Sequence, residues 1–100
     1  MVIITENFFP PSSAKELGKV FLELPPLPDY ITMRGPYILS DTNKGIRSIL
    51  IYECEKSKFA DALQVVADRV TNYFEAVPGY TYAVNAWFEA SEALKMIGLA

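Results

Sequence analysis

The sequence predicts one α+β domain, residues 1–100, in which four antiparallel strands carry two helices on one face and a short helix follows the last strand. Three observations lead there. Four runs rich in β-branched and aromatic residues read as strands. Two intervening segments place apolar residues at steps of three and four, the helical period. Proline- and glycine-rich punctuation separates them. One hundred residues is the size of one domain, and 51% hydrophobic against 21% charged residues is a globular composition.

The elements follow in order. "VIITENF", residues 2–8, is apolar and β-branched with no helical period, so it is a strand. "PPSSAKE" opens a helix, with Ser13 as N-cap and Glu16 three residues on, as in a capping box. Its stripe is Leu17, Val20, Phe21 and Leu24, and the prolines of "LPPLPD" stop it. Residues 30–40 form the second strand, and "DTNKG", 41–45, is a turn. "IRSILIYEC", 46–54, is the third strand. Ser57 caps a second helix with the stripe Phe59, Leu63, Val66, Val70, Phe74 and Val77, ended by "VPGY". "YTYAVNAWF", 80–88, is the fourth strand. A short helix at 90–98 puts Leu94 and Ile97 on one side and stops at Gly98.

The order is therefore β-α-β-β-α-β. "VIITEN" aligns with "ILIYEC", setting Glu6 against Glu53, and "PDY" at 28–30 aligns with "PGY" at 78–80. Two similar β-α-β halves with right-handed crossovers interleave into one antiparallel sheet, with the first and third strands central and the second and fourth at the edges. This is a ferredoxin-like arrangement. It gives a reading of Arg34-Gly35-Pro36 inside the second strand: proline cannot donate to a ladder, so it belongs at an edge or a bulge, and the glycine permits the bend.

Alternation sorts the strand residues into two faces. Val2, Ile4, Ile49 and Ile51 are expected to meet the helices. Ile3, Thr5, Asn7, Leu50, Tyr52, Cys54, Asn85 and Trp87 are expected on the other face. Both sets are apolar enough to need cover, and the chain has too few helices to shield both. An identical sheet packed by two-fold symmetry supplies that cover, so a homodimer through the sheet face is expected.

Composition narrows the chemistry. The net charge is −3, and the six lysines and three arginines are scattered, which argues against nucleic acid and against an anionic membrane surface. No apolar run is long enough to span a bilayer. The start "MVIITENFFPPSS" lacks a positive leader and a cleavage pattern, and one cysteine, Cys54, forms no internal disulfide, so a cytoplasmic location is expected. The chain has no histidine, which removes Ser-His-Asp and Cys-His nucleophiles, His-ligated zinc and imidazole-ligated haem. No Gly-rich phosphate loop, CxxC or carboxylate metal cluster is present, and no cofactor or metal is expected.

The element order and two-sided strands resemble the dimeric α/β-barrel superfamily, small ferredoxin-like proteins whose sheets pair face to face. The resemblance covers nearly the whole chain and carries no diagnostic motif. It implies a pocket between sheet and helices or within the barrel, and functions ranging from cofactor-independent monooxygenases and isomerases to haem-degrading enzymes and ligand-sensing domains. The haem-degrading branch uses an Asn on the first strand, a Trp in the sheet and a His on a helix. Asn7 and Trp87 match the first two, and the third has no counterpart.

Five residues stand out as candidate ligand contacts, each with a purely structural alternative. Asn7 can orient a carbonyl or bond local backbone. Tyr52 can donate its phenol proton to a ligand or pack at the dimer interface. Trp87 can stack on a planar ligand or anchor that interface. Asn85 and Arg34 can complete a polar cluster, Arg34 by a bidentate contact to an anion, or Arg34 can pair with an acid on the partner subunit or stand in water. Cys54, flanked by Glu53 and Glu55, reads as a small core residue. The functional expectation is a small homodimeric protein that binds a small molecule or serves as an assembly module. The alternative is a cofactor-independent enzyme, monooxygenase- or isomerase-like, acting on a small apolar or aromatic substrate.

Overall fold

Every second residue of strand β1 (Val2–Phe9) is buried: Ile3, Thr5, Asn7 and Phe9. Strand β3 (Gly45–Glu53) repeats the pattern with Ser48, Leu50 and Tyr52. The two strands pair antiparallel with Ile3 opposite Tyr52, Thr5 opposite Leu50 and Asn7 opposite Ser48. Residues directly opposite share a face, so the buried sets line one side of the sheet. Strand β2 (Thr32–Asp41) pairs with β3, and β4 (Thr81–Trp87) with β1, giving the order β2-β3-β1-β4. The computed structural model describes residues 1–99. Helices α1 (Ala14–Glu23), α2 (Phe59–Thr71) and α3 (Ala90–Met96) complete an α+β fold, with 3-10 turns at Pro11–Ser13 and Lys56–Lys58 leading into the first two. Among the described residues no helix is long and apolar enough to cross a membrane.

The central pair and the two edges stand where the element order put them. The order maps onto itself when the halves are exchanged. The alignment of "VIITEN" with "ILIYEC" sets Ile4 on Ile51, and these two residues face each other directly across the β1–β3 ladder. The bulge in β2 falls between Arg34 and Tyr37. Gly35 has φ +96°, and a Cβ there would come within 2.8 Å of the Ile49 carbonyl oxygen, so the bend requires glycine. The Asp41 carboxylate closes the β2–β3 turn by accepting from the backbone N–H groups of Asn43 at 2.7 Å and Lys44 at 2.9 Å.

Ser13 stands at the expected N-cap position but its hydroxyl does not cap the helix, and Ser57 is not a cap. Ser13 precedes α1 but donates its hydroxyl to the Pro78 carbonyl at 2.6 Å, tying the helix start to the β4 turn. Ser57 lies inside the 3-10 turn, and Lys58 takes the cap position. Helix α2 ends at Thr71, and its buried side is Ala62, Val66 and Val70, continued past the helix by Tyr73 and Val77. Leu63 and Phe74, 36% and 49% exposed, fall off that side.

The two sheet faces are exchanged relative to the sequence reading. Ile3, Thr5, Leu50 and Tyr52 lie beneath the helices, and Val2, Ile4, Ile49 and Ile51 are half-buried on the helix-free face. The apolar runs "VII" and "ILI" are hydrophobic in both phases, so alternation fixes which residues share a face and leaves open which face the helices choose. On the helix-free face Arg34 pairs with Glu53 at 2.6 Å and Arg47 with Glu6 at 3.0 Å, and these ion pairs border the isoleucines. Tyr37, Leu39 and Trp87 on that face are 59%, 48% and 49% exposed. Helix α3 buries none of its residues and does not roof this surface.

Candidate functional site

The interior beneath the helices has two clusters. One gathers Ile3, Ile31, Leu50, Tyr52, Ala62 and Val66 under α2. The other gathers Phe9, Tyr73 and Val77, with Leu17, Val20 and Leu24 of α1 packed against them. Helix α1 has no fully buried residue, so it stands off the sheet instead of sinking into it. Between the clusters, bounded by α1, α2 and the sheet, is a cavity of about 360 Å³. Ala14, Leu17, Gly18, Phe21 and Leu24 form its roof, which is the i, i+3, i+4, i+7 face of α1. Leu50, Ile46 and Phe9 form the floor, and Pro36 and Ile38 of the kinked edge strand close one side.

Polar groups enter at defined points. Tyr80 donates its hydroxyl to Asn7 Oδ1 at 2.5 Å, and Asn7 Nδ2 donates to Ser48 Oγ at 3.3 Å. The Tyr73 ring stacks on Tyr80 with centroids 5.0 Å apart. Burial pushes the Tyr73 phenol up to about 12 and raises that of Tyr80 further, reinforced by the neighbouring tyrosines. Burial also raises Tyr52, opposed by the positive charge of Arg69 beside it and by hydrogen bonding to Arg69 and Thr5. Arg69 lines the cavity from α2 and donates through Nη1 to the Pro25 carbonyl at 2.7 Å. Its Nε–H is buried with no acceptor. A buried donor left unmatched costs roughly 1–3 kcal/mol, and more when charged.

Of the five candidate contacts, the cavity brings together Asn7 and Tyr52. The other three lie on the opposite face. Trp87 sits across from Val2, Asn85 across from Ile4, and Arg34 across from Ile51. Arg34, Ile51, Ile4 and Asn85 thus form one row across the sheet, with its ends ~14 Å apart at the usual strand spacing. Asn85 was grouped with Asn7 by counting along β4, but the register pairs Asn7 with Tyr82. Cys54 packs against the main core cluster, and burial raises its thiol pKa. Sequence reasoning missed Thr5, Ser48, Arg69, Tyr73 and Tyr80 as site residues. For Tyr73 a signal existed: it stands three residues after Val70 on the buried side of α2, a better fit to that stripe than Phe74.

Among the described residues no group of acidic, cysteine or histidine side chains is arranged to hold a metal. No protein-family model, curated protein or solved structure matches the chain.

Proposed function

We propose that this chain binds one small, largely apolar molecule in the cavity beneath α1, and that it acts as a homodimer joined through the helix-free sheet face. The cavity carries the first half. Its 360 Å³ is partly open to solvent and lined largely by apolar side chains, the form of a small-molecule pocket. Water therefore enters it when no ligand is bound. Water finds few partners against Leu17, Phe21, Leu24, Ile46 and Leu50, so an apolar molecule gains by displacing it. Binding is favoured over the enzymatic alternative because no Asp, Glu, His or Cys lines the cavity and its tyrosines hold their protons above the ordinary phenol range. Titration with indole, followed by methyl NMR, tests this. Shifts are expected for Leu17, Ile46, Leu50 and Val70 and not for Val2 or Ile4; shifts confined to the open face, or none, overturn the reading.

The dimer rests on the composition of the open face. Its apolar centre, bordered by ion pairs, has the arrangement of an interface core and rim. With β1 and β3 central, this agrees with a ferredoxin-like domain whose sheet pairs with a second copy. Ile51 lies in the middle of that face. Light scattering at micromolar concentration is expected to give a dimer for the native chain and a folded monomer for Ile51→Lys. A native chain that is monomeric refutes the pairing.

A further inference from the structure

We propose that the molecule held in this cavity is an anion, a monocarboxylate of about a dozen non-hydrogen atoms with an apolar body, its carboxylate accepting from the Arg69 guanidinium and the Tyr52 hydroxyl. This rests on the cavity being a binding site. Four observations converge on the charge. Arg69 is the one positive side chain in the lining, and no acid lines the cavity with it. Of the three arginines, Arg34 and Arg47 each have a glutamate partner, and Arg69 has no carboxylate within ion-pairing distance among the described residues. Its Nε–H is buried without an acceptor, as is that of Arg47 on the other face. The Arg69 guanidinium donates to the neutral Pro25 carbonyl and lies beside the neutral Tyr52 hydroxyl.

The remaining polar groups sharpen the chemistry. Asn7 Oδ1 is already taken by Tyr80, so the cavity offers donors more readily than acceptors. A cationic ligand would meet Arg69 without a counter-charge. A phosphate dianion would find one cation, no lysine and no glycine-rich loop. A single carboxylate balances the single guanidinium and is the acceptor that an arginine beside a phenol fits best. The body follows from the volume: 360 Å³ holds about a dozen heavy atoms at the ~30 Å³ that one water occupies in the liquid. The apolar roof and floor require that body to be hydrocarbon or aromatic.

Three probes sharing one phenylpropyl body decide it: 3-phenylpropanoate, 3-phenylpropanol and 3-phenylpropylamine, titrated by calorimetry at neutral pH. The carboxylate is expected to bind at least ~10-fold more tightly than the alcohol, the order of a charge-assisted over a neutral hydrogen bond, and the amine more weakly still. Arg69→Gln is expected to remove that preference while leaving alcohol affinity within about threefold, since the body is held by the apolar walls. An alcohol that binds as well as the carboxylate overturns the anion assignment and leaves the cavity reading standing. Failure of all three probes overturns both. The native series alone is decisive should Arg69→Gln fold poorly. A carboxylate preference surviving in a folded Arg69→Gln chain removes Arg69 from the role.

Discussion

Replacing Gly18 with alanine should stabilise the protein, and replacing it with leucine should close the cavity. Gly18 stands in the middle of α1, on the face shared with Ala14, Leu17 and Phe21 that roofs the cavity. A glycine in a helix interior is less favourable than alanine by ~0.8–1 kcal/mol. A Cβ built at Gly18 meets no heavy atom within 4 Å, so no overlap subtracts from that gain. Gly18→Ala should thus add about 1 kcal/mol, a rise in Tm of roughly 4–8 °C for a domain of this size. Urea denaturation should show a higher midpoint with an unchanged slope. Gly18→Leu places four carbons in the space beneath the roof and should weaken indole binding by ~10-fold or more while keeping the fold. An Ala variant no more stable than the native chain would show that the space under α1 is not free. A Leu variant binding indole like the native chain would show that the ligand sits elsewhere.

Two further outcomes follow from the polar chain and the tyrosines. Asn7→Ala should cost roughly 1–3 kcal/mol, because it leaves the Tyr80 hydroxyl and Ser48 without their partner, and chemical denaturation of the variant reads this directly. On the alkaline side, Tyr52, Tyr73 and Tyr80 hold their protons above the ordinary phenol value of 10, so the folded chain binds more protons than the unfolded chain above that pH. Their stabilising contribution is complete below pH 10 and falls as pH rises toward the folded values, about 12 for Tyr73. Stability measured from pH 9 upward should decline from about pH 10, and a flat profile there refutes the burial of these phenols.

The strands, their order and the central placement of β1 and β3 were legible because β-branched runs, prolines and the paired halves all pointed one way. The bulge was legible from Gly35-Pro36 for the same reason: backbone chemistry is local. What escaped was decided by neighbours. Ser13 lost its capping role to the Pro78 carbonyl, a contact across 65 residues. Arg34 was read as a candidate anion contact, and Glu53 claims it. Arg69, one position before Val70 on α2, gives no sign in the sequence that it lines a cavity. Asn85 and Trp87 were misplaced by one step of parity in β4, and parity is set by the partner strand's register.

That inversion of faces bears on function. Sliding β1 by one residue would carry Val2, Ile4 and Phe8 beneath the helices together with the Glu6 carboxylate, and turn Ile3, Thr5, Asn7 and Phe9 outward. The fold takes the other register and sets Thr5, Asn7, Ser48 and Tyr52 under α1 and α2, where each requires a partner. Tyr80, Asn7 and Ser48 satisfy one another, whereas Arg69, which also lines the cavity, keeps a buried donor unmatched. On the reverse face the displaced isoleucines stand without a helix over them. One register thus produces both a pocket wanting an acceptor and a sheet wanting cover, so a variant that lost either property while keeping the fold would separate two features that here share a single cause.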